Sequence, residues 1–220
     1  MHQVTMPRWV VGLICLDVGL TLLYLVDYAA GRPYAPFSQF IDLDGEKNLP
    51  TWWSSIQWFC VAAAFWVFAI RNVGRRPSRS WLLLILPAIF LAFSLDEVAT
   101  IHEYIGYMSD VLLPNGERNT SLVSHTGLFF ILFGVPFAIL FAGLVTAILP
   151  FLARLPRARN RIVAGMALML IASIGIEALS NLLVPGSPAA TLQIAAEELS
   201  EMIGSTLVLW GSVGLALELG

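Results

Sequence analysis

Six apolar stretches, each about long enough to cross a bilayer, constrain this chain more than any other feature. They run over Trp9–Val26, Trp53–Ile70, Trp81–Tyr104, Leu128–Phe151, Ile162–Leu183 and Ala190–Leu215. A hydrocarbon core about 30 Å thick takes roughly 20 helical residues. Inside lipid every backbone polar group must be paired within its own segment, which selects helices over open sheets. Mean hydropathy is +0.79 and only 12% of residues are charged, half the roughly 25% usual for a soluble domain. The expected fold is therefore all-α: a polytopic transmembrane bundle of about six spans, forming one integral membrane domain over 1–220. The first stretch is too long for the apolar region of a signal peptide, and Asp27-Tyr28-Ala29-Ala30 is a poor cleavage site.

The connections alternate in charge. Arg71, Arg75, Arg76 and Arg79 fill one short loop, Arg154, Arg157, Arg159 and Arg161 another, and Arg8 precedes the first span. These nine of the twelve basic residues share one side. The positive-inside rule makes that side cytoplasmic, with both chain ends there. A bacterial cytoplasmic (inner) membrane is the expected location. Trp52, Trp53 and Trp58, with Tyr104 and Tyr107, read as an aromatic belt. No basic stripe interleaved with aromatics suggests nucleic acid. Cys15 and Cys60 lie in apolar runs and read as small hydrophobes.

Thirteen of the fifteen acids fall toward the outer side. Asp42, Asp44, Glu46, Asp110 and Glu117 belong to outer loops, where water can hold them. Seven of the others lie within spans: Asp96, Glu97 and Glu103 with His102 in the third, Glu177 in the fifth, and Glu197, Glu198 and Glu201 in the sixth. At about 1.5 Å per residue, Asp96 and Glu177 stand roughly 22 Å above the cytoplasmic face, Glu197 at about 20 Å and Glu201 near about 14 Å. At about 100° per residue, Asp96, Thr100 and Glu103 share one helical face, as do Gln193, Glu197, Glu201 and Ser205, and Ser173, Glu177 and Asn181. A single acid at a helix centre costs about 2.5–3.5 kcal/mol, and like charges side by side raise that cost. No lysine or arginine lies in the same layer. Arg32, Lys47 and Arg118 belong to outer loops and are free to fold inward.

Bound cations or protons are the two ways to offset such a cluster. Carboxylates with one imidazole suit iron, manganese or zinc, and oxygen alone suits calcium or magnesium. The expected metal ligands are Glu97, His102, Glu103, Glu177, Glu197 and Glu201, with Asp96 or Glu198 as general base. The metal is a divalent ion: iron, manganese, zinc or calcium. The functional expectation is a metal-dependent membrane hydrolase or oxidoreductase, acting from the outer side on a lipid-soluble or membrane-proximal substrate. Two alternatives use the same residues: a cation or proton carrier, and a non-catalytic accessory subunit of a larger membrane complex. The Glu-x-x-His repeats of di-iron carboxylate bundles are absent from the sequence, as is a nucleophile elbow. Lysine is missing from every span, which excludes a retinal Schiff base. Asp42-Leu43-Asp44-Gly45-Glu46 lacks EF-hand spacing and reads as an acidic turn. Asn119-Thr120-Ser121 is a glycosylation sequon of consequence only in a secretory pathway. Asp17, midway along the first span, reads as hydrogen-bonded to a neighbouring helix rather than as a relay.

Overall fold

The computed structural model of the chain describes residues 6–72, 81–101, 104–105, 134–153 and 155–218. These residues are helical, with no strand among them. The helices are α1 (Arg8–Ala29), a short α2 (Ala35–Phe40), α3 (Leu49–Asn72), α4 (Trp81–Ala99), α5 (Val135–Leu152), α6 (Pro156–Leu170) and α7 (Pro188–Glu218). A π-helical segment, Ile171–Ile176, continues α6 into single turns over Glu177–Leu179 and Ser180–Leu182. Proline opens α6 and α7, where its missing N–H costs nothing. Asn48 caps α3, its Oδ1 accepting Thr51 N at 3.1 Å.

Four helices, Arg8–Ala29, Leu49–Asn72, Pro156–Ile176 and Pro188–Leu217, are long and apolar enough to span a membrane. Leu22, Val26, Phe59, Ile70, Leu182 and Val184 all stand exposed. A surface so apolar needs lipid rather than water against it. α4 and α5 occupy the positions expected of the third and fourth spans, while 128–133 lie outside the described residues.

The 31-residue α7 is the hub, packing on α6, α3 and α1, while α4 packs on α3. The α3–α4 seam is aromatic: Phe90 stacks on Trp58 at 5.6 Å and on Phe65 at 5.2 Å between ring centroids. Above it Ser55 and Ser94 donate to each other's carbonyls at 2.8 and 2.9 Å. Along α6 and α7 the backbones themselves meet. A Cβ on Gly165 would stand 2.4 Å from Gly204 O, and one on Gly211 would stand 2.7 Å from Ala158 O. Close approach through small residues is how helices associate where lipid supplies no hydrophobic drive. At the end of the bundle where α3 closes and α6 opens, Arg71 donates to the Ala216 carbonyl, and the Arg161 guanidinium lies 3.6 Å above the Trp210 ring centre.

The outer segment between α1 and α3 folds back into the bundle. Gly31 and Arg32 turn the chain with φ of 79° and 54°. Ile41 and Leu43 are buried, Leu43 among Leu20 and Tyr24 of α1 and Ala195 and Met202 of α7.

Several expectations change. The third span does not run unbroken to Tyr104: α4 ends at Ala99, Thr100 takes φ 52°, and helical backbone resumes at Ile101, with Tyr104 N donating to Thr100 O at 3.2 Å. Thr100 N donates to Asp96 O at 2.7 Å, closing a left-handed cap that glycine usually fills. Asp96 and Thr100 therefore do not share a regular helical face. Trp58 is core rather than belt, 4% exposed, because α3 turns it toward Phe90. Arg157, Arg159 and Arg161 belong to the first turns of α6 rather than to a loop.

Candidate functional site

Among the described residues the acids gather around Glu198 on the outer half of α7. Glu198 of α7 is half-buried. The charges bearing on it most strongly are the carboxylates of Glu201, Glu97, Glu197 and Glu46. Three segments thus contribute: α7, the end of α4, and the folded-in outer loop. Glu46 is solvent-exposed, as sequence reasoning expected of an outer loop, yet its charge reaches Glu198 because the buried Ile41 and Leu43 draw the acidic turn toward the bundle.

Glu197 and Glu201 are tethered by neutral donors. Gln193 Nε2 donates to Glu197 Oε2 at 2.7 Å and, more weakly, to the Ile176 carbonyl at 3.3 Å. Ser173 Oγ donates to Glu201 Oε1 at 2.5 Å. Both bonds reach the π-helical segment, whose i→i+5 pairing differs from that of an α-helix. That pairing breaks the regular i, i+4 stripe expected for Ser173, Glu177 and Asn181. Glu177 begins the turn after the π segment, and its side chain is outside the described residues, as are His102 and Glu103 altogether. Asp96 is half-buried near the end of α4 and anchors the Thr100 cap through its carbonyl. A β-branched residue in the left-handed region is strained by about 1–3 kcal/mol, a cost that concentrates at functional sites. Among the described residues, no three His, Cys, Asp or Glu side chains are spaced as ligands of one metal ion.

Arg32 does not fold onto this cluster. It hydrogen-bonds Asp42, stands 3.7 Å from Asp27 and donates to Ser38 O at 3.2 Å. The Asp42 carboxylate holds its guanidinium proton even more tightly than usual.

A second polar group lies deeper. Asp17 is fully buried and accepts from Trp53 Nε1 at 2.7 Å and Gln57 Nε2 at 3.0 Å on Oδ1, and from Thr206 Oγ1 at 3.0 Å on Oδ2. Gln57 is held in turn by Ser205 at 2.7 Å and donates to Thr206 at 2.9 Å. The expected interhelical bond of Asp17 is present and reaches two helices. What sequence reasoning missed was the partner set: Trp53, assigned to the interface, and Gln57, a lone amide in an apolar span that itself needed a partner.

Helices this apolar, packed around polar residues, define an integral membrane protein of the all-helical class. The family described as Domain of unknown function (DUF8692) matches residues 10–217, and the chain belongs to it. No curated protein and no solved structure matches the chain.

Proposed function

We propose that the chain is a six-span protein of a bacterial cytoplasmic membrane, with both ends in the cytoplasm, that binds a divalent cation from the outer side. The observation behind this reading is the company Glu198 keeps: the strongest charges upon it are four other carboxylates, drawn from three segments. Four of these five acids lie within helices at membrane depth, and so many carboxylates cannot all stay ionised without a cation. Glu97, Glu197, Glu198 and Glu201 would hold the ion, with His102, Glu103 and Glu177 completing the set, and Asp96 would act as base toward a lipid-soluble or membrane-proximal substrate. Iron, manganese, zinc and calcium all suit such donors.

Elemental analysis of the purified protein tests this, together with melting curves in chelator and in each added metal. A bound ion raises the melting temperature by an amount that grows with the logarithm of its free concentration above Kd. Protein that carries no metal, and melts identically in chelator and in millimolar calcium, manganese or zinc, would overturn cation binding and leave the accessory-subunit reading. Flux of the bound ion into proteoliposomes separates a carrier from an enzyme.

Topology has its own test. In a chain with Cys15 and Cys60 replaced by alanine, Arg75→Cys and Arg157→Cys are expected to react with an impermeant maleimide only from the cytoplasmic side. Asp44→Cys is expected to react only from the outside. Labelling of Arg75→Cys in intact cells would reverse the orientation.

A further inference from the structure

The chain between α1 and α3 divides into two halves of opposite character. Residues 33–41 carry no charge, while Asp42, Asp44, Glu46 and Lys47 crowd the stretch that follows. The uncharged half is a closed loop. The Arg32 guanidinium hydrogen-bonds Asp42 across its base and donates to Ser38 O at 3.2 Å. Ser38 Oγ donates to Asp27 Oδ1 at 3.1 Å, which ties the loop to the end of α1. Ile41 is buried and leads into Leu43, packed on α1 and α7. A compact surface loop with joined ends and its own short helix, α2, is held in shape before it meets any partner.

What the loop presents is aromatic. Tyr34, Phe37 and Phe40 recur at every third residue and are 66%, 45% and 53% exposed. Ser38 and Ile41 are its buried positions, so the loop turns these two inward and its three rings outward. The only polar side chains among its exposed residues are Tyr34 and Gln39. The rings also extend an apolar surface. Val26 near the end of α1 and Trp52 near the start of α3 are exposed at the same end of the bundle. Tyr28 OH donates to Gly186 O at 2.6 Å, which brings the turn before α7 to the end of α1. Leu182 and Val184, just ahead of that turn, are exposed as well.

That continuity identifies the partner as lipid. A protein seated on the three rings would have to displace lipid from Val26 and Trp52 too. Short amphipathic helices with aromatic anchors lie in the plane of a membrane interface, and an uncharged loop bracketed by Arg32 and Asp42 has that pattern. We propose that residues 33–41 are an interfacial anchor, with Tyr34, Phe37 and Phe40 seated among the headgroups and upper acyl chains of the leaflet at this end of the bundle. The charged half, 42–47, stays in water beside it. The leaflet then sets the height of the acidic turn, whose Glu46 charge reaches Glu198. The anchor does not depend on a cation being bound there.

The test is depth measurement by spin labelling of the full chain in nanodiscs, with Cys15 and Cys60 replaced by alanine. Nitroxides on Phe37→Cys and Phe40→Cys are compared with one on Leu22→Cys, exposed on α1, and one on Asp44→Cys, in the charged half. Oxygen concentrates in the bilayer and a nickel chelate in water, so the ratio of their collision rates reads depth. The Phe37 and Phe40 labels are expected about 5–10 Å into the headgroup and acyl boundary. Their nickel collisions are expected to fall several-fold below those at Asp44. A label replaces the ring it reports on, so the unlabelled wild-type chain is tested in parallel and carries the test if a variant does not fold. A phospholipid with a photoreactive diazirine high on its acyl chain is expected to mark 33–41 and to spare 42–47. Nickel collisions at Phe37 and Phe40 as frequent as at Asp44, or no lipid adduct on 33–41, would overturn the proposal. Labels shielded from both reagents would overturn it too, in favour of a partner protein or a second copy over the loop.

Discussion

Gly165→Leu is expected to abolish recovery of folded, monodisperse protein, and Gly165→Ala to lower its melting temperature sharply. A Cβ here meets Gly204 O at 2.4 Å and Val208 N at 2.9 Å. These are backbone atoms, and no rotamer change moves them aside. The two helices must separate along their whole seam, which places the change at or above the upper end of the usual overpacking cost of about 1–3 kcal/mol. Gly211→Ala is expected to behave alike, because its Cβ meets Ala158 O at 2.7 Å and Ile162 Cγ1 at 2.5 Å. Gly19→Ala is the control: nothing lies within 4 Å of that position, and alanine is the better helix former. Size-exclusion profiles after heating rank the four variants. Gly165→Ala melting no lower than Gly19→Ala would mean that the α6–α7 seam is looser than described.

Glu198→Gln is the second large expected effect, and its sign separates the readings of the outer site. The substitution keeps the side-chain shape and removes one of five mutually repelling charges. If a divalent ion holds the carboxylates together, losing a ligand lowers metal content and melting temperature together, since binding free energy here is folding free energy. The proposal expects that outcome, with chelator reducing wild-type protein to the level of the variant. If protons or water alone hold the site, the same change relieves repulsion and the variant melts higher. Glu46→Gln tests the loop's share: a smaller shift of the same sign is expected, because Glu46 ranks behind Glu201, Glu97 and Glu197 among the charges on Glu198.

The helices were legible because lipid leaves a chain few choices. α1, α3 and α7 begin and end within a few residues of the apolar stretches that announced them, since hydropathy and helix length answer to one constraint. Interruptions were not legible. Threonine at a left-handed cap contradicts its own preference, so nothing local in Val98-Ala99-Thr100-Ile101 marks the end of α4. The π segment is likewise hidden, because Ile171–Ile176 is as apolar as the α-helix before it. For the site, depth counting brought Asp96, Glu177, Glu197 and Glu201 to similar levels, and the structure sets Glu97, Glu197 and Glu201 near enough to Glu198 for their charges to bear on it. Glu46 and the Gln57 contacts depended on tertiary folding of a loop and on helix rotation, which periodicity alone does not specify.

The glycine seam has a mechanical consequence for the acids above it. Below Gly204, α7 lies backbone to backbone on α6 and is pinned at its C-terminal end by Arg71 and Arg161. Above Gly204, its contacts with the α6 extension run through Ser173 and Gln193, side chains that can swing. A helix held backbone to backbone on α6 over one half, and by side chains over the other, where Ala195 and Met202 pack on α1 and Leu43, yields first above the clamp. Gly204 then marks the boundary of the clamp, and a change in volume among Glu197, Glu198 and Glu201 is taken up by the N-terminal half of α7, while the half beyond Gly204 stays still.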